Sequence, residues 1–114
     1  MNRQLTMLIV DDMEVERISF AEIFKDEYQI LEAENGKQAM EQLEQQKVHI
    51  VLLDLCMPVM DGFEVIREMK QQDKYADIPI VAKTAIDEKT EVKALEAGAD
   101  EYIFSPCDLS LIHI

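Results

Sequence analysis

The sequence predicts an α/β fold, a doubly wound parallel sheet of five strands with helices on both faces, and three observations carry that expectation. Short apolar runs bounded by turn or charged residues recur five times along the chain, each of strand length. Between them lie stretches of helical length whose apolar residues fall three to four apart. The two kinds of segment alternate, and such alternation implies parallel strands joined by right-handed crossovers. A chain of 114 residues supports one core of this kind and is too short for two.

The first strand is expected over 5–10 (LTMLIV), followed by a helix over 14–25 that turns Phe20, Ile23 and Phe24 inward. The second strand, 28–33 (YQILEA), leads to a helix over 36–46 with Ala39, Met40 and Leu43 on its apolar face. Asn35-Gly36 marks the start of that helix, because a short polar side chain there accepts a hydrogen bond from a free N–H of the first turn. The third strand is read over 48–53 (VHIVLL) and the third helix over 63–72, with Phe63, Ile66 and Met69. The fourth strand is 78–82 (IPIVA). A fourth helix over 88–97 carries Val92 and Leu95, opens at Asp87 and stops at Gly98, where a left-handed residue belongs. The fifth strand is 101–104 (EYIF).

Beyond Asp108 a last helix is expected to cover one face of the sheet, yet the chain reads LSLIHI. One frame of the transposase mosaic end used in preparing sequencing libraries encodes those six residues. The expectation is a domain over 1–108 and a non-native tail over 109–114, with the last helix missing and His113 set aside.

Aspartate and glutamate number 24 against 11 lysines and arginines, a net charge of −13. That balance argues against direct nucleic acid binding and suits a divalent cation or a basic partner surface, besides keeping the chain dissolved. Cys56 and Cys107 are the only cysteines, too few for a zinc site. With no charged-then-apolar leader before the first strand, the expected location is cytoplasmic. No apolar run approaches the roughly 20 residues of a spanning helix, so no membrane is expected. His49 sits within an apolar strand pattern and reads as structural.

In an open parallel sheet the functional crevice lies beyond the carboxyl ends of the strands. Asp11 and Asp12 follow the first strand and Asp54 ends the third. Taken alone, the Asp pair fits a loop start or a helix N-cap as well as a binding site. If the two strands are neighbours, three carboxylates meet, and their repulsion calls for a cation. Mg²⁺, which takes oxygen ligands from one or two carboxylates, water and phosphate, is the natural resident. Thr84, before the small Ala85, offers a hydroxyl to an anion held over Asp54, although a Thr at a strand end, taken alone, is more often a cap or turn residue. Pro58 fixes a backbone angle behind Asp54, and Gly62 permits a tight entry into the next helix.

Asp11-Asp12, DLCMPVMDG (54–62), KTA (83–85) and EAGADEYIFSP (96–106), in this order and spacing, resemble the receiver domain of bacterial two-component response regulators. The similarity is chemotaxis-regulator-like and runs over about residues 5–108. It implies the flavodoxin-like strand order 2-1-3-4-5. It also implies that Asp54 is the phosphoacceptor, attacking a phosphohistidine of a sensor histidine kinase or phosphotransfer protein. Asp11, Asp12, Asp54 and the backbone carbonyl of Cys56 would then hold Mg²⁺. Thr84 would contact the phosphate and act as the switch hydroxyl, with Tyr102 the switch aromatic. The implied output is a downstream effector protein or a fused output domain, and the domain is not itself an enzyme. An aspartyl-phosphate phosphatase would want a second Asp two residues after the nucleophile, where this chain has Cys56.

The sequence departs from the family at Ser105-Pro106, where receivers usually carry Lys-Pro with the Lys paired to the phosphoryl group. That departure leaves open a degenerate receiver that binds partners without phosphorylation. Lys83 adjoins Thr84, but neighbouring strand side chains point to opposite faces, so both are not expected at one phosphate.

Overall fold

The computed structural model describes residues 4–55, 62–84, 93 and 95–104, with Thr84 and Phe104 described by their backbone. The elements in chain order are β1 (Leu5–Val10), α1 (Glu14–Phe24), β2 (Tyr28–Ala33), α2 (Gly36–Gln45), β3 (Ile50–Asp54), α3 (Gly62–Lys70), β4 (Ile80–Thr84) and β5 (Glu101–Phe104). All strands pair in parallel, in the order β2-β1-β3-β4-β5. This is the doubly wound, flavodoxin-like sheet expected from the sequence.

Two strands begin later than their apolar runs. β3 starts at Ile50 because His49 closes the pairing with β1 by its side chain: its backbone N–H donates to the Thr6 carbonyl at 2.9 Å, and its Nδ1 accepts the Thr6 N–H at 3.0 Å. Val48 is buried, but as part of the approach to the strand. β4 starts at Ile80 because Ile78 is still held in a turn, its N–H donating to Tyr75 at 3.1 Å. Pro79 then has only a carbonyl to offer, which accepts the Val51 N–H at 3.0 Å. Asp54 and Thr84 therefore close their strands.

Alternation along the strands sorts side chains into two cores. Leu8, Val10, Val51, Leu53, Ile80 and Ala82 pack with Ala39 and Leu43 of α2 and Val65, Ile66 and Met69 of α3. Met7, Ile9 and Leu52 face the other way, against Phe20, Ala21 and Phe24 of α1. Ile23, expected inward, is 64% exposed, because the partly buried stripe of α1 runs through Phe20, Ala21 and Phe24 and leaves its neighbour to the side. Leu95 is likewise 45% exposed. Of the helix expected over 88–97, Lys93 and Leu95–Ala97 are described and helical; Asp87 and Val92 lie outside the described residues.

Asn35 caps α2, its side chain accepting the Gln38 N–H at 2.8 Å while the Gln38 side chain accepts the Glu34 N–H at 3.0 Å. The third helix stops at Lys70, short of the expected boundary. Gly98 has a φ of +122°, the positive region that the expected helix stop requires. No helix among the described residues is long and apolar enough to cross a membrane.

Candidate functional site

β1 and β3 lie side by side in the middle of the sheet, with Val10 in register with Leu53. The next residues along, Asp11 and Asp54, are thus neighbours at the carboxyl edge. Both continue the alternation of Met7, Ile9 and Leu52, so their side chains stand on the α1 face. Asp11 is fully buried, Asp54 is 5% exposed and Asp12 is exposed. One carboxylate oxygen from each of the three lies within 4.8 Å of the others. An oxygen-only donor set with one solvent-facing member suits a hard cation that keeps part of its water.

The loop bearing the Asp pair is pinned. The Asp11 N–H donates to the Ala33 carbonyl at 3.0 Å, and Asp11 Oδ1 accepts the Met13 N–H at 2.9 Å. Arg17, on α1, donates from Nη1 to the Asp11 carbonyl at 2.9 Å and from Nε to Glu32 at 2.8 Å. These bonds order the backbone before α1, whose first turn carries Glu14 and Glu16 near the positive end of the helix dipole.

Of the neighbours Lys83 and Thr84, not both expected at one phosphate, Lys83 is the one whose side chain is described at the carboxylates. Its Cα is in register with that of Asp54, so the two side chains share a face. The rule of alternation holds; register with β3 decides which of its residues faces the carboxylates. Lys83 is 1% exposed. Its ammonium donates to Asp11 Oδ2, and to Glu16 Oε2 at 2.6 Å, and lies 4.7 Å from the centre of the Phe20 ring. Burial alone would lower its pKa. The hydrogen bonds to Asp11 and Glu16, with the charges of Asp11 and Asp54, outweigh that and raise the pKa above the ordinary lysine value.

Tyr102 is partly buried against the larger core, in register with Ala82 of β4. Thr84 closes β4 in register with Phe104. Cys56, Pro58 and Ser105 lie outside the described residues. Gly62 opens α3 hard against the Asp54 strand end: a Cβ there would sit 2.6 Å from the Asp54 carbonyl oxygen and 2.9 Å from Leu55 Cα. His49 is structural, as expected. Glu16 and Arg17 go beyond the sequence reading; their signal is position, four and five residues after Asp12 in the opening of the helix that follows the Asp pair.

The response regulator receiver domain family matches residues 7–114. The chemotaxis protein CheY of Halobacterium salinarum is 40% identical over 101 residues, covering 88% of this chain and 83% of that protein. Histidine kinase P4 of Formosa agariphila is 38% identical over 102 residues, covering 89% of this chain but 7% of the kinase. The chain thus spans nearly all of one relative and a small part of another. Among solved structures, the receiver domain of a Pseudomonas aeruginosa sensor histidine kinase has a TM-score of 0.82 at 26% identity, covering 96% of this chain and 92% of that one. It holds a magnesium ion coordinated in its active-site cleft. The order of the sheet, the carboxylates at its edge and these matches agree: the chain belongs to the response regulator receiver family.

Proposed function

We propose that this receiver takes a phosphoryl group onto Asp54 from a phosphohistidine of a sensor histidine kinase or phosphotransfer protein, in the presence of Mg²⁺, and signals by the resulting change of surface. The observation that carries the reading is the convergence of Asp11, Asp12 and Asp54 within 4.8 Å at the carboxyl edge of two central strands. An Asp54 oxygen attacks phosphorus, the P–N bond to the imidazole breaks, and the ring nitrogen keeps the electron pair. Such transfer depends on alignment and on neutralising oxygen charge. Asp11, Asp12, Asp54 and the Cys56 carbonyl would hold the ion, which when bound offsets the charge on the phosphoryl oxygens. Asp54 closes β3 and is only 5% exposed, which limits the water around the carboxylate that would accept the group.

A phosphoryl group adds about 1.5 to 2 negative charges and new acceptor oxygens. By the family resemblance, Thr84, the last residue of β4, would answer them with its hydroxyl, and Tyr102 on the adjoining strand would be the aromatic that follows. The change biases a two-state surface read by a downstream effector protein or a fused output domain.

Intact mass after incubation with a small-molecule phosphodonor, with and without Mg²⁺, tests the reading beside an Asp54→Asn variant. The expected result is a Mg²⁺-dependent gain of one phosphoryl group that the variant lacks. A folded native chain that gains none would move the reading to a receiver that works by binding alone; labelling that persists in Asp54→Asn would move the acceptor elsewhere.

A further inference from the structure

We propose that Lys83, on β4, supplies the phosphoryl-contacting cation that the family carries after the fifth strand, where this chain has Ser105, and that Glu16 on α1 is the positioning residue that holds it ready. The inference rests on the phosphoacceptor reading of Asp54.

Register places the cation. Lys83 pairs with Asp54 across β3 and β4, and its ammonium reaches the carboxylates of Asp11 and Glu16 on the α1 face, beside the Phe20 ring. A lysine stem is long and its head carries three rotatable donors. The ammonium can keep one carboxylate partner and turn another hydrogen towards a phosphoryl oxygen on Asp54, a charge-assisted bond of the stronger kind. No covalent bond changes at Lys83; it contributes charge and direction.

The second partner distinguishes this arrangement from a simple counterion. A lysine needed only to offset the burial of Asp11 is satisfied by Asp11, whereas Lys83 is also held by Glu16 from a different element. Glu16 has a side chain 14% exposed, at the rim, so releasing it to water costs less than releasing fully buried Asp11. The cation therefore has a partner it can give up when a phosphoryl group arrives. Asp54 already acts on it through charge.

A cycle of Lys83→Gln, Ser105→Lys and the two together tests the assignment, each given a phosphodonor and Mg²⁺ and read by intact mass. Lys83→Gln is expected to slow labelling by about 10²-fold, the scale of losing one preorganised donor. Ser105→Lys is expected to recover most of that loss, its gain in the Lys83→Gln background being roughly tenfold or more above its gain in the native background. Equal gains in both backgrounds mean separate roles and overturn the proposal.

A second readout depends on no variant folding. The side-chain ammonium resonance of Lys83 in the native chain is followed by NMR with Mg²⁺ alone, then with Mg²⁺ and beryllofluoride as the phosphoryl mimic. A shift on adding beryllofluoride supports the contact, and a resonance unmoved while beryllofluoride binds overturns it. A folded native chain that neither takes a phosphoryl group nor binds beryllofluoride overturns this proposal and the phosphoacceptor reading together. Native labelling at Asp54 with equal gains in the cycle overturns this one alone.

Discussion

At Asp11 a carboxylate without solvent exposure is made tenable by what surrounds it: the Met13 N–H on one oxygen and the Lys83 ammonium on the other. Desolvating such a pair costs several kcal/mol per ion before attraction offsets it, so its presence says more about function than about stability. Gly62 shows the same pressure from the backbone side. A methyl group at Gly62 meets the Asp54 carbonyl and Leu55 Cα, atoms that cannot rotate away. Gly62→Ala is therefore expected to destabilise the domain by about 1–3 kcal/mol, the range for overpacking, and to slow phosphorylation because the displaced atoms belong to the acceptor and its neighbour. Urea unfolding beside the labelling assay checks both, and an unchanged midpoint would show that α3 yields instead.

Among the elements, β1, β2 and β5 were legible to the residue, since each apolar run coincides with its strand. β3 and β4 were not, because His49 and Pro79 satisfy ladder positions in ways that hydropathy does not record. The Asp cluster was legible because strand ends can be read from sequence and the crevice lies there. Lys83 was not, because alternation tells that two neighbours differ in face while only the register with β3 tells which one meets Asp54. Tyr75 was missed for a related reason: it lies in the connection between α3 and β4, outside any periodic segment, yet is 5% exposed and part of the larger core. Tyr75→Ala is expected to cost about 3 kcal/mol or more, as for other buried aromatics. Ile23→Ala on α1, 64% exposed, is expected to stay within about 0.5 kcal/mol. Thermal or urea melts of the two variants decide it; similar losses would mean that α1 buries a different stripe.

For the molecule as a whole, the net charge of −13 destabilises the compact state by self-repulsion, and the carboxylates of Asp11, Asp12, Asp54 and Glu16 concentrate part of that charge around one ammonium. They stand at the edge of the less deeply buried face, where the core is Met7, Ile9 and Leu52 under α1. Two effects of added salt are then separable. Monovalent ions screen the whole surface and leave a buried group largely untouched. A divalent ion bound at the site stabilises the folded chain by linkage, about 2.7 kcal/mol at a hundredfold excess over its dissociation constant. MgCl₂ is thus expected to raise the unfolding midpoint more than NaCl at equal ionic strength, and Asp12→Asn, which removes the exposed carboxylate of the set, is expected to shrink the difference while leaving the NaCl response in place. If both salts act alike on the native chain, the stabilisation is general screening and the three carboxylates hold no ion; if they differ and Asp12→Asn keeps the full difference, the ion binds through other residues.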